Sequence, residues 1–297
     1  MELPVVNHPE YVAKINENSV FPIKKFSALA EYLLKNNIVK KFYKPKECSL
    51  ETLCMSHSLE YINNIKNKTL DRKAQVRIGF PINDSVVKRS FLATGGTVLA
   101  SKLALDFKLS CNTAGGSHHA GYDYGSGYCV FNDVAVAANY IKFKKKIKKI
   151  LILDLDVHQG NGNSEIFKND KDIFTFSMHC KSNFPAKKSI SDLDVELEDN
   201  LEDKTYNEIL KENLISLNKY SFDFVFYIAG VDVHYQDKLG KLKLTEEGIY
   251  KRDQMVIENF FSRKIPLCGV LGGGYNKNFN KLVELHAILH RNCKNFL

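Results

Sequence analysis

The 297-residue chain is defined first by what it lacks. No apolar run approaches the roughly 18–20 residues of a membrane span, so no span is expected. The opening residues MELPVVNH show no basic stretch followed by an apolar one, so no secretory leader is expected. None of the seven cysteines (48, 54, 111, 129, 180, 268 and 293) forms a C-x-x-C pair, and their number is odd. A zinc finger is therefore unsupported, and the thiols read as reduced cysteines of a cytoplasmic protein. Arginine is scarce: the formal charge is +8, yet the only arginines are Arg72, Arg77, Arg89, Arg252, Arg263 and Arg291. Arginine is the side chain best suited to bidentate recognition of phosphates and bases, so no nucleic-acid partner is expected. The densest lysine run, residues 142–149, precedes a core strand and reads as solvated surface. There is no internal repeat and no low-complexity linker.

What is present is an ordinary globular composition, 44% apolar. Periodicity places strands at residues 3–6, 109–113, 150–154, 173–177, 222–228 and 266–271. Helices are predicted at 26–38, 49–66, 84–107, 132–145, 164–169, 206–219, 245–261 and 278–293, with Ser49 and Ser56 as candidate N-caps. Gly95 and Gly96, inside the longest helix, read as a point of close packing rather than a break. Residues 181–203 read as a long, mostly irregular loop. Connections of that length usually carry function, so this one is a candidate cleft wall. Alternating strands and helices imply an α/β fold with a parallel sheet covered by helices.

The chemistry concentrates where apolar runs stop. Residues 150–162, ILILDLDVHQGNG, read as a buried strand ending in Asp154, Asp156 and His158. Alternation along a strand would put all three on one face. Three unpaired ionisable groups there would be costly, so a divalent metal or a charge relay is expected. AGGSHHA (114–120), IAGVDVHYQD (228–237) and LGGGYN (271–276) each follow another apolar strand. Parallel strands end along one edge, where ligands bind, so four strands deliver polar groups to one rim.

Taken in this order, AGGSHHA, DLDVHQGNG, AGVDV and GGGY resemble the zinc-dependent histone deacetylases and their bacterial deacylase relatives, over about residues 95–275. FPAKKSISDLDVELED (184–199) and residues 237–253 resemble the class IV branch. The resemblance implies a single arginase/deacetylase domain over 1–297, with a mostly parallel eight-stranded sheet flanked by helices. It implies one Zn²⁺ held by Asp156, His158 and Asp232, a catalytic pair His118 and His119 partnered by Asp154 and Asn161, and Tyr275 as donor to the substrate carbonyl. It further implies a channel involving Tyr128, Gly127, Phe184 and Ser117, and a structural K⁺ near Asp154 with Ser177 as one ligand. The implied activity is hydrolysis of N-ε-acyl-lysine in proteins or peptides, acetyl or long-chain; small acylated amines such as acetylpolyamines present the same amide. Two positions depart from common family patterns: small Ser117 stands before the tandem histidines, and Asn161 replaces an aspartate.

Taken singly, these motifs have plainer readings. A lone D-V-H is more often surface or core, tandem histidines can be structural, and G-G-G-Y can be only a turn. His57, His286 and His290 read as packed histidines, and His179 and His234 as supports of the site. The glycine clusters at 160–162 and 272–274 do not form a G-x-G-x-x-G opening a helix, so nucleotide binding is not expected. An arginase-like binuclear manganese centre would need further carboxylates where Gly160, Asn161 and His234 stand. A non-catalytic acyl-lysine or nucleic-acid binding protein is the alternative of another class, which the intact histidines and tyrosine disfavour. The lysine- and asparagine-rich composition hints at an AT-rich, bacterial genome. Nothing in the sequence fixes the oligomeric state.

Overall fold

The computed structural model describes residues 2–297. Its seven strands are β1 Val5–Val6, β2 Leu109–Asn112, β3 Ile150–Asp154, β4 Ile173–Cys180, β5 Leu193–Leu197, β6 Phe224–Ile228 and β7 Leu267–Val270. They form one sheet in the order β1-β2-β7-β6-β3-β4-β5, and every pairing is parallel. The expectation of eight strands, mostly parallel, is corrected to seven, all parallel, among the described residues. The central strands β2, β3, β6 and β7 are buried at every position. This follows from helices covering both faces, and it explains why these strands read as continuous apolar runs.

The helices are α1 Lys25–Lys35, α2 Leu50–Leu53, α3 Leu59–Lys66, α4 Arg72–Ile78, α5 Asp84–Phe107, α6 Asp133–Lys145, α7 Asn161–Phe167, α8 Asp203–Leu217, α9 Glu246–Phe261 and α10 Phe279–Asn295. The chain steps from β2 to β3 to β4 in one direction across the sheet and returns from β5 through β6 to β7. Right-handed crossovers then put α6 and α7 on one face and α8 and α9 on the other. The longest helix, α5, has the expected limits. Its Gly95 and Gly96 let other chain segments approach: an added Cβ would collide with Lys46 O at the first and with Tyr11 Oη at the second.

Three local expectations are corrected. Residues 49–66 form two helices, capped by Ser49 and by Ser58 rather than Ser56. Helix α4 was not expected; it is short and polar, capped by Asp71 and ended by Gly79 at φ 83°. The loop at 181–203 contains β5, an edge strand whose Asp194 and Glu196 disguise it as a polar connection. Charged side chains on an edge strand also discourage pairing with other chains.

Candidate active site

The strands preceding the four polar clusters, β2, β7, β6 and β3, are contiguous in the sheet. Being parallel, they bring residues 113–120, 271–276, 229–237 and 155–160 to one edge. Strand β3, however, ends at Asp154, so Asp156 and His158 lie in the loop beyond it rather than on a strand face. The reason is visible in the amides. Leu155 N still donates to Ile228 O (3.1 Å), but Asp156 N turns to Asp154 Oδ1 (3.2 Å) and Val157 N to Asp232 Oδ1 (3.0 Å). Carboxylates replace the neighbouring strand as acceptors, and the ladder stops.

This loop gathers Asp156, His158 and Asp232, whose ligand atoms lie within 4.8 Å of one another. His158 Nδ1 is 3.0 Å from Asp156 Oδ1 and 3.2 Å from Asp232 Oδ2. Asp232 Oδ2 is buried without a hydrogen-bond partner. Burial and the neighbouring Asp156 push the Asp232 carboxyl up to about 7. Two buried carboxylates facing one imidazole, one oxygen left unpaired, make a site that gains from a cation. Behind it, Arg252 Nη1 donates to Gly230 O (2.6 Å) and Leu155 O (3.3 Å), bracing both ligand-bearing loops. Arg252 pairs with Asp253, which also accepts from Tyr227 Oη (2.5 Å).

The tandem histidines stand beside this triad with rings 4.1 Å apart. His118 Nδ1 donates to Asp154 Oδ2 (2.7 Å), and His119 Nδ1 donates to Asn161 Oδ1 (2.7 Å). Their states diverge. Burial alone would lower His118, but Asp154 and Asp156 outweigh it and raise it to about 9. Burial and the adjacent His118 and His158 hold His119 well below 6.5. The loop carrying both is fixed by Asp133, which accepts from Gly116 N (3.1 Å) and Ser117 N (2.8 Å). Tyr275 N donates to Asp237 Oδ2 (2.6 Å). Burial, then Asp232 and Asp156, keep the Tyr275 phenol protonated far above 10. His234 Nδ1 accepts from Asn276 Nδ2 (3.0 Å), steadying the turn that carries Tyr275.

A cavity of about 640 Å³ joins these groups and is lined by Ser117, His118, His119, Gly127, Tyr128, Asp156, His158, Phe184 and Tyr275 among others. Asp154, Asn161 and Asp232 stand behind the lining. Phe184, 44% exposed, meets the His119 ring edge-on at 4.8 Å. Tyr128 packs 5.9 Å from the Tyr275 ring. Its φ of 65° is a costly conformation for an aromatic residue. Arg77 O and Ile78 O, at the end of α4, hold the amides of Gly127 and Tyr128. Gly127 also has φ 53°, and a Cβ there would lie 2.6 Å from the His119 ring. Ser177 Oγ meets His179 Nδ1 (3.0 Å), and Ser177 pairs with Asp154 across β3–β4. His57, His286 and His290 are buried, as expected of packed histidines.

Sequence reasoning missed Asp133, Asp237 and the bracing role of Arg252. The first lies one residue after the start of the helix predicted at 132–145 and the second ends a motif, but neither position signals a buried acceptor. It also missed two buried cations beside the cavity, Lys25 and Arg89.

Comparison with known proteins agrees with this geometry. The family model described as histone deacetylase domain matches residues 19–288. An uncharacterized protein of Picosynechococcus sp. is 45% identical over 98% of both chains. Histone deacetylase 2 of Arabidopsis thaliana is 29% identical, over 89% of this chain and 71% of its own. The acetoin utilization protein AcuC of Staphylococcus aureus is 26% identical over 89% and 74%. A crystal structure of an HDAC homolog complexed with SAHA superposes with a TM-score of 0.85 at 23% identity, covering 99% of this chain and 84% of that one. The chain therefore belongs to the histone deacetylase family, hydrolases built on the arginase/deacetylase fold.

Proposed function

We propose that the chain hydrolyses the amide of N-ε-acyl-lysine with one Zn²⁺ held by Asp156, His158 and Asp232. The observation that supports this most is the convergence of those three ligand atoms beside two oppositely tuned histidines. The donor set fits the ion: one imidazole, two carboxylates and an unpaired buried oxygen at Asp232. When bound, zinc supplies Lewis acidity toward the amide carbonyl and lowers the pKa of water. The remaining steps fall to protein groups. Neutral His119 takes a proton from the attacking water at Nε2 and returns it to the lysine amine as the C–N bond breaks. Charged His118 stabilises the negative charge that builds up beside it. The Tyr275 phenol donates to the amide oxygen as it becomes an oxyanion.

Tyr128, Gly127, Phe184 and Ser117 are the residues proposed to contact the lysine stem and acyl group. A structural K⁺ is proposed near Asp154 and Ser177. The protein acts in the cytoplasm as one catalytic domain over residues 1–297. The test is hydrolysis of lysine peptides acylated with two to sixteen carbons, run beside acetylpolyamines. Turnover of acyl-lysine peptides is expected. Turnover of acetylpolyamines alone would move the substrate to small amines, and turnover of neither would remove the assignment.

A further inference from the structure

The outer mouth of the cavity is basic. Four segments contribute to it: residues 71–79, 121–129, 181–188 and 237–243. The first, third and fourth carry three lysines or arginines each and the second none, and their only acids are Asp71, Asp123 and Asp237. Two of these acids are occupied by backbone amides. Asp71 Oδ1 accepts from Ala74 N (2.7 Å), and Asp237 accepts from Leu239 N, Gly240 N and Tyr275 N. Of the cations, Arg77 and Lys241 line the cavity itself. Arg77 is exposed. Its Nε donates to Gly125 O (3.1 Å), and its guanidinium carbon lies 4.4 Å from the Tyr124 ring centre. Among the described residues it has no ion-pair partner. Lys241 meets an acid only loosely, Asp199 at 3.9 Å, and its Nζ donates to Ser182 Oγ (3.0 Å). Away from the mouth, Lys68, Lys88, Lys142 and Lys281 hold carboxylates at 2.5–2.8 Å. Beside the two mouth cations stand exposed apolar side chains: Val76, Phe184 and Leu239 are 72%, 44% and 36% exposed.

A run of charge on a surface is usually only solvated. Here the cations surround an opening, under-paired, among apolar groups that a bound peptide would cover. In an extended peptide, residues one or two positions from the acyl-lysine lie within about 7 Å of it, inside the roughly 8–10 Å over which charges act at ordinary salt. A lysine or arginine there meets like charge, whereas an aspartate or glutamate is attracted and pairs with a guanidinium or ammonium that lacks a close partner. We propose that the mouth selects acyl-lysines standing in acidic sequence, with Arg77 and Lys241 as the specificity-determining residues for the neighbouring carboxylates. The inference rests on the acyl-lysine reading under Proposed function and names the sequence class of that substrate.

The test compares zinc-loaded wild type, Arg77→Gln, Lys241→Glu and the double variant on three peptides, each made in acetyl and tetradecanoyl forms. The peptides differ only at the positions within two residues of the acyl-lysine, which are aspartate, serine or lysine. For wild type, kcat/KM should fall from the acidic to the neutral to the basic peptide, by about 3–10-fold at each step at about 0.05 M salt. The differences should lie in KM and shrink to within about twofold at about 0.5 M salt. Lys241→Glu should leave the serine peptide within about twofold of wild type and narrow the gap between acidic and basic peptides by about 3–10-fold. Arg77→Gln should narrow the gap as well, and the double variant should abolish it. A merely structural role would change all three peptides alike. The same peptides are then bound to metal-free protein and followed by fluorescence anisotropy, which needs no turnover; the same order is expected. Equal kcat/KM for the three peptides, or a preference unaltered in every variant, would overturn the proposal and leave acyl-lysine hydrolysis standing. Inhibition by a single-stranded oligonucleotide that exceeds inhibition by the unacylated acidic peptide would assign the cations to nucleic acid and overturn it too. Binding that follows the charge order and the variants, in protein that hydrolyses none of the peptides, would leave the acidic-sequence surface standing and sink the substrate reading alone.

Discussion

Exchanging Asn161 for aspartate tests how this site divides labour between two neighbouring histidines. His118 and His119 each donate Nδ1–H over 2.7 Å, to Asp154 and Asn161 respectively. Asp154 and Asp156 raise the first to about 9, while burial and the neighbouring His118 and His158 hold the second well below 6.5. A carboxylate at 161 repeats for His119 what Asp154 does for His118, offset in part by repulsion from the charged ring 4.1 Å away. A rise of about 2 pH units for His119 is the net expectation. A bound dication lowers both histidines and leaves the difference between their partners in place. Because His119 must be neutral to accept a proton, the acid limb of kcat/KM moves up by about 2 pH units. On the acid side of the shifted limb the neutral fraction falls, the stronger base recovers part of the loss, and a net drop of up to about tenfold is expected there. Near pH 9 the variant equals or exceeds wild type. The assay is a pH–rate profile on an acyl-lysine peptide, with metal content matched. An acid limb that does not move, with an unchanged rate at pH 7, would refute the assignment of His119 as the neutral base.

Further outcomes follow from the same geometry. His119→Ala costs more in kcat than His118→Ala, about 10²–10⁴-fold for loss of the proton carrier; equal small losses in steady-state assays would remove both from the mechanism. Tyr275→Phe keeps the ring but deletes the phenol, lowering kcat by about 10²–10³ with little change in KM for every acyl group; a KM effect alone would make Tyr275 a binding residue. Arg252→Met leaves the buried Asp253 without its ion-pair partner, with only Tyr227 Oη still donating to it, and frees Gly230 O and Leu155 O. It should destabilise the fold by about 3–5 kcal/mol in denaturant titration; a change within about 0.5 kcal/mol would show that the pair is not needed to hold the loops.

The sheet was legible because its strands are buried on both faces and appear as uninterrupted apolar runs, as in Ile150–Asp154. Helix α5 was legible over its full length because it is long and begins at a capping Asn83. Features held by tertiary context were not. Helix α4 buries only Ile78, so periodicity carried no signal, yet its C-terminal end supports Tyr128. Strand β5 has only its last residue buried, and its acids read as loop. At the site, strand periodicity suggested one face bearing Asp154, Asp156 and His158. The structure instead splits them: Asp154 turns to His118, while the other two meet Asp232, which is 74 residues beyond His158 in the chain (232 − 158). Arg89 was visible only as one of six arginines. That it lies buried depends on Phe21, Phe26 and Tyr11, which local sequence does not connect to it.

The most direct test of the account is metal reconstitution. Protein stripped of metal is titrated with Zn²⁺ while bound metal and hydrolysis of an acyl-lysine peptide are followed together. Activity should rise in proportion to bound zinc and saturate at one equivalent per chain, and Asp232→Ala should lose both metal and activity while keeping most of its fold. Full activity in metal-free protein, or activity that requires two equivalents of manganese, would contradict a mononuclear centre at Asp156, His158 and Asp232.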